Sequence, residues 1–176
     1  MIASLVARGC KVIGVETRIY ASPDVWGTLD VALYDPLNDT LMVLDYKNGV
    51  KPVSADNNVQ LQCYAWGAWL KFNHEFAGDK VCMGIIQPNS SNNEIFTTCV
   101  KYVIQLFDFY LYMRECVEVA KAPDAPVRAG HWCFWCEAKS ICTTYKEAQA
   151  QPPELDRKHR SIFNKIMRRD YEQSTQ

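Results

Sequence analysis

The segment GTLDVALYDPLNDTLMVLDYK, residues 27–47, constrains the fold more than any other part of the chain. Its halves, 27–35 and 40–47, read as strands, and PLND between them supplies Pro and Asn/Asp turn chemistry, so the spacing predicts a hairpin. In the simplest register, with PLND as the loop, Asp35 faces Thr40, Leu33 faces Met42 and Asp30 faces Asp45. Directly opposed residues have Cβ atoms ~4.5–5.5 Å apart, where like charges are destabilising. Two carboxylates in that position make sense with a cation between them. Asp45 and Lys47 are two apart on a strand and share a face. Two carboxylates and an ammonium therefore converge at one end of the hairpin. The plainer alternative is a solvated hairpin end with Lys47 neutralising an aspartate, and a one-residue bulge would break the assumed pairing.

The chemistry of this arrangement is specific. Oxygen ligands suit Mg²⁺ or Mn²⁺, with waters and substrate phosphate completing the shell. An ion held by Asp30 and Asp45 polarises a phosphodiester and lowers the pKa of a bound water. Lys47 positions that water or stabilises charge developing on the phosphoryl group. Glu16, on the preceding strand, is a candidate further ligand or hydrogen-bond partner. Gln60 and Tyr64, four apart on a predicted helix, project together. They form either a polar ledge beside the acids or an ordinary polar helix face.

The remaining pattern predicts strands over 11–20, 80–88 and 94–102, and helices over 56–72, capped by Asp56, and 103–121. Ile104, Phe107 and Leu111 form one stripe of the second helix. APDAP and QPPE are breaks. The order predicts an α/β fold, a mixed central β-sheet flanked by helices. Its organisation is a core over 1–122, a Cys-rich segment over 123–150 and a basic amphipathic helix over 151–176. With 48% hydrophobic and 22% charged residues, the chain has a globular composition. The net charge of −1 advertises no global attraction to nucleic acid, so any such surface is local. No apolar run is long enough to span a bilayer, and the N-terminus lacks a signal-peptide layout. The expected location is the cytoplasm, or the host cytoplasm for a phage-encoded chain.

In a reducing compartment the eight cysteines are not a disulfide framework. Cys10, Cys63, Cys82, Cys99 and Cys116 read as small apolar side chains. Cys133, Cys136 and Cys142, in HWCFWCEAKSIC, have CxxCx5C spacing, a chelating arrangement wrapped in aromatics. A closed site normally takes four ligands. The fourth candidates are His131 and Cys10, with zinc accepting Cys₃His. The other readings are an incomplete site or three packed thiols. The tail carries Arg157, Lys158, Arg160, Lys165, Arg168 and Arg169, either a DNA-backbone stripe or the solvated face of a packing helix. Trp66 and Trp69 could stack on bases, but their place on the apolar helix side favours core packing.

GTLD, then VLDYK, then QLQCY resembles, in order and spacing, the RecB-type branch of the PD-(D/E)xK nuclease superfamily over residues 11–72. The cysteine run makes the chain similar to the iron–sulfur members of that branch: AddB-type nuclease domains, CRISPR-associated RecB-like exonucleases and phage-encoded nucleases. The resemblance implies a restriction-endonuclease-like core and a Mg²⁺- or Mn²⁺-dependent DNA exonuclease in phage-type recombination, replication or repair. Under it Asp30 and Asp45 match the metal-binding acids, Lys47 the catalytic lysine, Gln60 and Tyr64 the QxxxY motif, and Glu16 an upstream acid. It also implies a [4Fe–4S] cluster that staples the C-terminal segment to the core.

The chain departs from that pattern at its start. MIASLVARG matches only the last turns of the relatives' first helix, and their upstream cysteine has no clear counterpart. The alternative expectation is therefore a weakly active or inactive nuclease-fold module that binds DNA or protein, stabilised by zinc or an iron–sulfur cluster. A third is a chain that works as a homo-oligomer or beside a helicase or recombination partner.

Overall fold

The structure, a computed structural model, describes residues 1–150. The chain divides into two compact units, Met1–Ala122 and a second that begins at Pro123.

The first unit is a mixed α/β fold around a five-stranded sheet. A short helix α1 (Ile2–Ala7) leads into β1 (Lys11–Tyr20), β2 (Trp26–Asp35) and β3 (Thr40–Tyr46). Helix α2 (Val59–Phe72) connects to β4 (Lys80–Ile86), and β5 (Phe96–Tyr102) runs into α3 (Val103–Lys121). The spatial order equals the sequence order, β1-β2-β3-β4-β5. Neighbours are antiparallel except β3 and β4, which are parallel. The exception follows from connectivity. The short connections 21–25, 36–39 and 87–95 reverse the strand, whereas a crossover long enough to include α2 returns the chain to the starting end.

The hairpin has the register expected from its turn: Asp35 pairs with Thr40 and Leu33 with Met42, and the ladder runs to Val31 opposite Leu44. Sheet alternation then sorts β3. Leu41 and Val43 enter the main core with Ala32, Leu61, Ala65, Val81 and Met83. Leu33, Met42 and Leu44 turn to the other face, where Cys10 and, from α1, Ile2 and Leu5 pack on them. β3 is buried on both faces, which explains its near-continuous apolar run.

Helix α2 lies on the main-core face. Its buried residues include Leu61, Ala65, Trp66, Ala68 and Phe72, a stripe with helical spacing. Gly67 permits the closest approach, since a Cβ there would sit 2.8 Å from Ile19 Cδ1 and 3.1 Å from the Tyr20 carbonyl oxygen. Trp66 is buried and stacks on Trp69 and Tyr110, so its role is packing.

Two local expectations are corrected. The cap of α2 is Asn58, whose side chain accepts from Leu61 N–H at 3.1 Å, while Asp56 lies outside the helix and accepts from Asn57 and Cys99. On α3, the core-facing residues are Leu106 and Met113, and Ile104, Phe107 and Leu111 are exposed in this unit. Three apolar residues at helical spacing define a stripe without saying which stripe meets the sheet.

In the second unit, 3₁₀ turns at His131–Phe134 and Glu137–Ser140 precede α4 (Thr143–Ala150). The basic tail residues Arg157, Lys158, Arg160, Lys165, Arg168 and Arg169 lie outside the described residues. Among the described residues no helix is long and apolar enough to cross a membrane.

Candidate metal-binding and catalytic site

Continuing the β2–β3 register one step beyond Val31 and Leu44 sets Asp30 opposite Asp45. The two carboxylates have different surroundings. Asp30 is half-buried, and its Oδ2 accepts the Tyr46 backbone N–H at 2.6 Å, a charge-assisted bond where the ladder itself stops. Asp45 follows Leu41 and Val43 on the α2 side of β3 and is 3% exposed. Its Oδ2 is buried, and the Lys47 ammonium pairs with that oxygen at 2.8 Å. Burial pushes the Asp45 carboxyl above its ordinary value of 3.8; Lys47 opposes the shift, and the negative charge of Asp30 adds to it.

Lys47 has a second partner. Its Nζ donates to Gln60 Oε1 at 2.8 Å, and Gln60 Nε2 donates to Tyr64 Oη at 3.0 Å. The i, i+4 spacing on α2 aligns Gln60 and Tyr64 over the end of β3. Tyr64 is seated by β2: a Cβ at Gly27 would lie 2.7 Å from Tyr64 Cε1, so the ring occupies the space any larger residue would need. Asp45, Lys47, Gln60 and Tyr64 thus form one continuous polar chain from a buried carboxylate to the helix surface.

Glu16 is the outlier. Continued register places it opposite Asp30, between the pairs Val15/Val31 and Thr17/Leu29. Its backbone is left-handed, φ 44°, and it is exposed. A bulky residue at that φ is strained. Side-chain alternation inverts there: Val31 and Leu33 pack on the second core cluster, but Leu29, of the same parity, enters the first. The pairing register of β1 and β2 does not slip at this level; their register shift lies between Val12 and Gly14. Among the described residues no three His, Cys, Asp or Glu side chains converge as a metal-binding set, so Glu16 does not join Asp30 and Asp45.

The loop after Lys47 is held by a residue that sequence reasoning missed. Gln87, 2% exposed at the end of β4, accepts from Val53 N–H at 2.9 Å. Its Nε2 donates to the carbonyls of Gly49 at 2.6 Å and Lys51 at 2.7 Å. Lys47 N–H also bonds the Ile86 carbonyl at 2.9 Å. The only sequence signal was a glutamine ending an apolar strand before a proline.

A divalent ion is compatible with the donor set at the acids. Two neighbouring carboxylates, one of them buried and paired with Lys47, match the one or two carboxylates by which Mg²⁺ is usually held. The cysteine segment differs. Cys133 is buried and its Sγ accepts the Gly130 N–H at 3.3 Å, Cys136 is exposed and Cys142 is half-buried; all three are free. His131 is exposed, edge-on to Trp132. In this arrangement the three thiols and His131 are not gathered into a chelate. Cys10, the other candidate ligand, packs as a small apolar side chain against Leu33 and Met42.

Comparisons with known proteins give little beyond a family. A family model described as "Protein of unknown function (DUF2800)" matches residues 6–173. No curated protein matches. One solved structure, titled "Crystal structure of SSO0001", aligns at 11% identity with a TM-score of 0.34, over 82% of this chain and 65% of that one. The chain therefore spans somewhat under two thirds of that structure's length.

Proposed function

The chain belongs to the DUF2800 family, and from the geometry of its acid pair we propose that it is a divalent-metal-dependent deoxyribonuclease with a restriction-endonuclease-like core, acting as an exonuclease on linear DNA. The observation that carries the reading is the buried Asp45 carboxylate beside Asp30, tied through Lys47 to Gln60 and Tyr64. A structural salt bridge would serve with Asp45 and Lys47 alone. It does not explain a second carboxylate, Asp30, close enough for its charge to act on Asp45.

Asp30 and Asp45 would hold Mg²⁺ or Mn²⁺, which when bound supplies Lewis acidity toward a phosphodiester and acidifies water. Asp30, fixed by the Tyr46 N–H, contributes a carboxylate of set orientation. Asp45 contributes buried charge, which interacts with a cation more strongly than an exposed carboxylate does. Lys47 offers an ammonium to the phosphoryl oxygens as charge develops on them. Gln60 and Tyr64 orient that ammonium, and the hydrogen bonds of Gln87 keep the following loop in place.

In the second unit we propose that Cys133, Cys136 and Cys142 take up zinc or a [4Fe–4S] cluster on closing around it. The Gly130 N–H to Cys133 Sγ bond supports this, because it fixes the position of that sulfur at the turn. The Cys136 N–H bonds the Cys133 carbonyl at 3.3 Å, which holds the two residues at adjacent ends of one tight turn.

The nuclease reading is tested with end-labelled linear DNA and a covalently closed circle of the same sequence, each with Mn²⁺. Release of nucleotides from the linear form alone is expected. No release from either form, at protein concentrations that bind DNA, contradicts catalysis and leaves a DNA-binding module.

A further inference from the structure

Lys47 lies on the same carboxylate oxygen that a metal ion would use. Its Nζ is 2.8 Å from Asp45 Oδ2, and the same Nζ donates to Gln60 Oε1 at 2.8 Å. We propose that Lys47 is a displaceable counter-ion of the acid pair. Its ammonium and a divalent cation compete for Asp45, and Gln60, braced by Tyr64, is the seat that retains the ammonium when the cation enters. This rests on the reading of Asp30 and Asp45 as a metal site, and it assigns Gln60 and Tyr64 as positioning residues for Lys47.

The physical argument is one of charge balance. A buried carboxylate facing a second carboxylate needs a positive neighbour, and the nearest is Lys47. An ammonium and a divalent ion cannot both sit against one oxygen without strong repulsion at that range. The ammonium must shift, yet leaving the site would forfeit its contribution to chemistry. Gln60 solves this. Its carbonyl oxygen is already bonded to Nζ, and its own amide is fixed by Tyr64 Oη at 3.0 Å, so a side-chain rotation can exchange partners without releasing Lys47. Tyr64 in turn is held against Gly27.

The roles predict opposite effects on metal affinity, independent of turnover. Mn²⁺ alone is titrated calorimetrically into the full chain and its variants, with circular dichroism as the check on folding. Lys47→Met should bind Mn²⁺ about tenfold tighter, because the competing charge is gone. Lys47→Gln, which keeps a polar end for Gln60, should change in the same direction. Gln60→Ala should bind about threefold more weakly, since the ammonium then has Asp45 as its remaining partner. In the double variant the Gln60 effect should vanish.

Unchanged or weaker binding in both Lys47 variants overturns the counter-ion role while leaving the metal site standing. A Gln60 effect that persists undiminished without Lys47 overturns the positioning role. Absence of Mn²⁺ binding in wild type and in both Lys47 variants removes the metal site and the inference together.

Discussion

The ring of Tyr64 fills the space above Gly27 so closely that a Cβ on Gly27 would come within 2.7 Å of Tyr64 Cε1. The glycine of GTLD and the tyrosine of QLQCY, 37 positions apart by their numbering, are therefore one packing unit. Gly27→Ala should cost about 1–3 kcal/mol, the usual range for overpacking. It should also displace the Tyr64 hydroxyl from Gln60. Thermal unfolding measures the first effect. Gly27→Ala combined with Tyr64→Ala should recover part of the lost stability, because the clash is removed.

Asp45 makes stability depend on pH in a defined direction. Its carboxyl titrates above the ordinary 3.8 in the fold because burial disfavours the charge. Below 3.8 both folded and unfolded forms are protonated and Asp45 contributes no difference. As pH rises from 3.8 through the raised folded value, the unfolded chain ionises first, and the fold loses stability from this residue. Metal-free Asp45→Asn should thus melt higher than metal-free wild type at neutral pH. The difference should disappear near pH 3–4. Added Mn²⁺ should raise the melting temperature of wild type and leave the variant unchanged.

Gln87 joins the end of β4 to the loop that follows Lys47 through one accepted and two donated hydrogen bonds. Gln87→Leu removes all three bonds from a loop whose Gly49 and Lys51 are exposed. The expected loss is about 1–3 kcal/mol, since a hydrogen bond contributes a net ~0.5–1.5 kcal/mol where water can replace the lost partner. Chemical denaturation measures it. The same variant should release nucleotides more slowly while retaining Mn²⁺ affinity, because neither acid touches Gln87.

The cysteine segment is tested by metal content. Anaerobically purified protein should carry either about four irons with brown colour or one zinc. Cys133→Ser and Cys136→Ser should each lose the metal. Metal-free protein with unaltered stability in both variants would leave the three thiols as ordinary residues.

The hairpin was legible because one turn fixes one register, and a period of two then fixes every facing pair. The proximity of the candidate acids was legible for the same reason, since Asp30 and Asp45 lie one step beyond the last paired residues, Val31 and Leu44, and the helical repeat aligns Gln60 with Tyr64. What sequence could not reveal depends on backbone partners. The bond from Tyr46 N–H to Asp30 replaces a ladder step, and Gln87 bonds a backbone N–H and two carbonyls, which carry no residue identity. Glu16 was placed in the right row, but its left-handed backbone turns it outward, a property no alternation pattern encodes. The exposed stripe of α3 failed differently, because Leu106 and Met113 supply a competing apolar face on the same helix.

Cleavage of linear DNA in the presence of Mn²⁺ by wild type and by Asp45→Asn at equal concentration tests the acid pair most directly. The account predicts cleavage by wild type and a rate at least about 100-fold lower in the variant, beyond what loss of an outer-shell partner causes. Equal rates in the two proteins would contradict it.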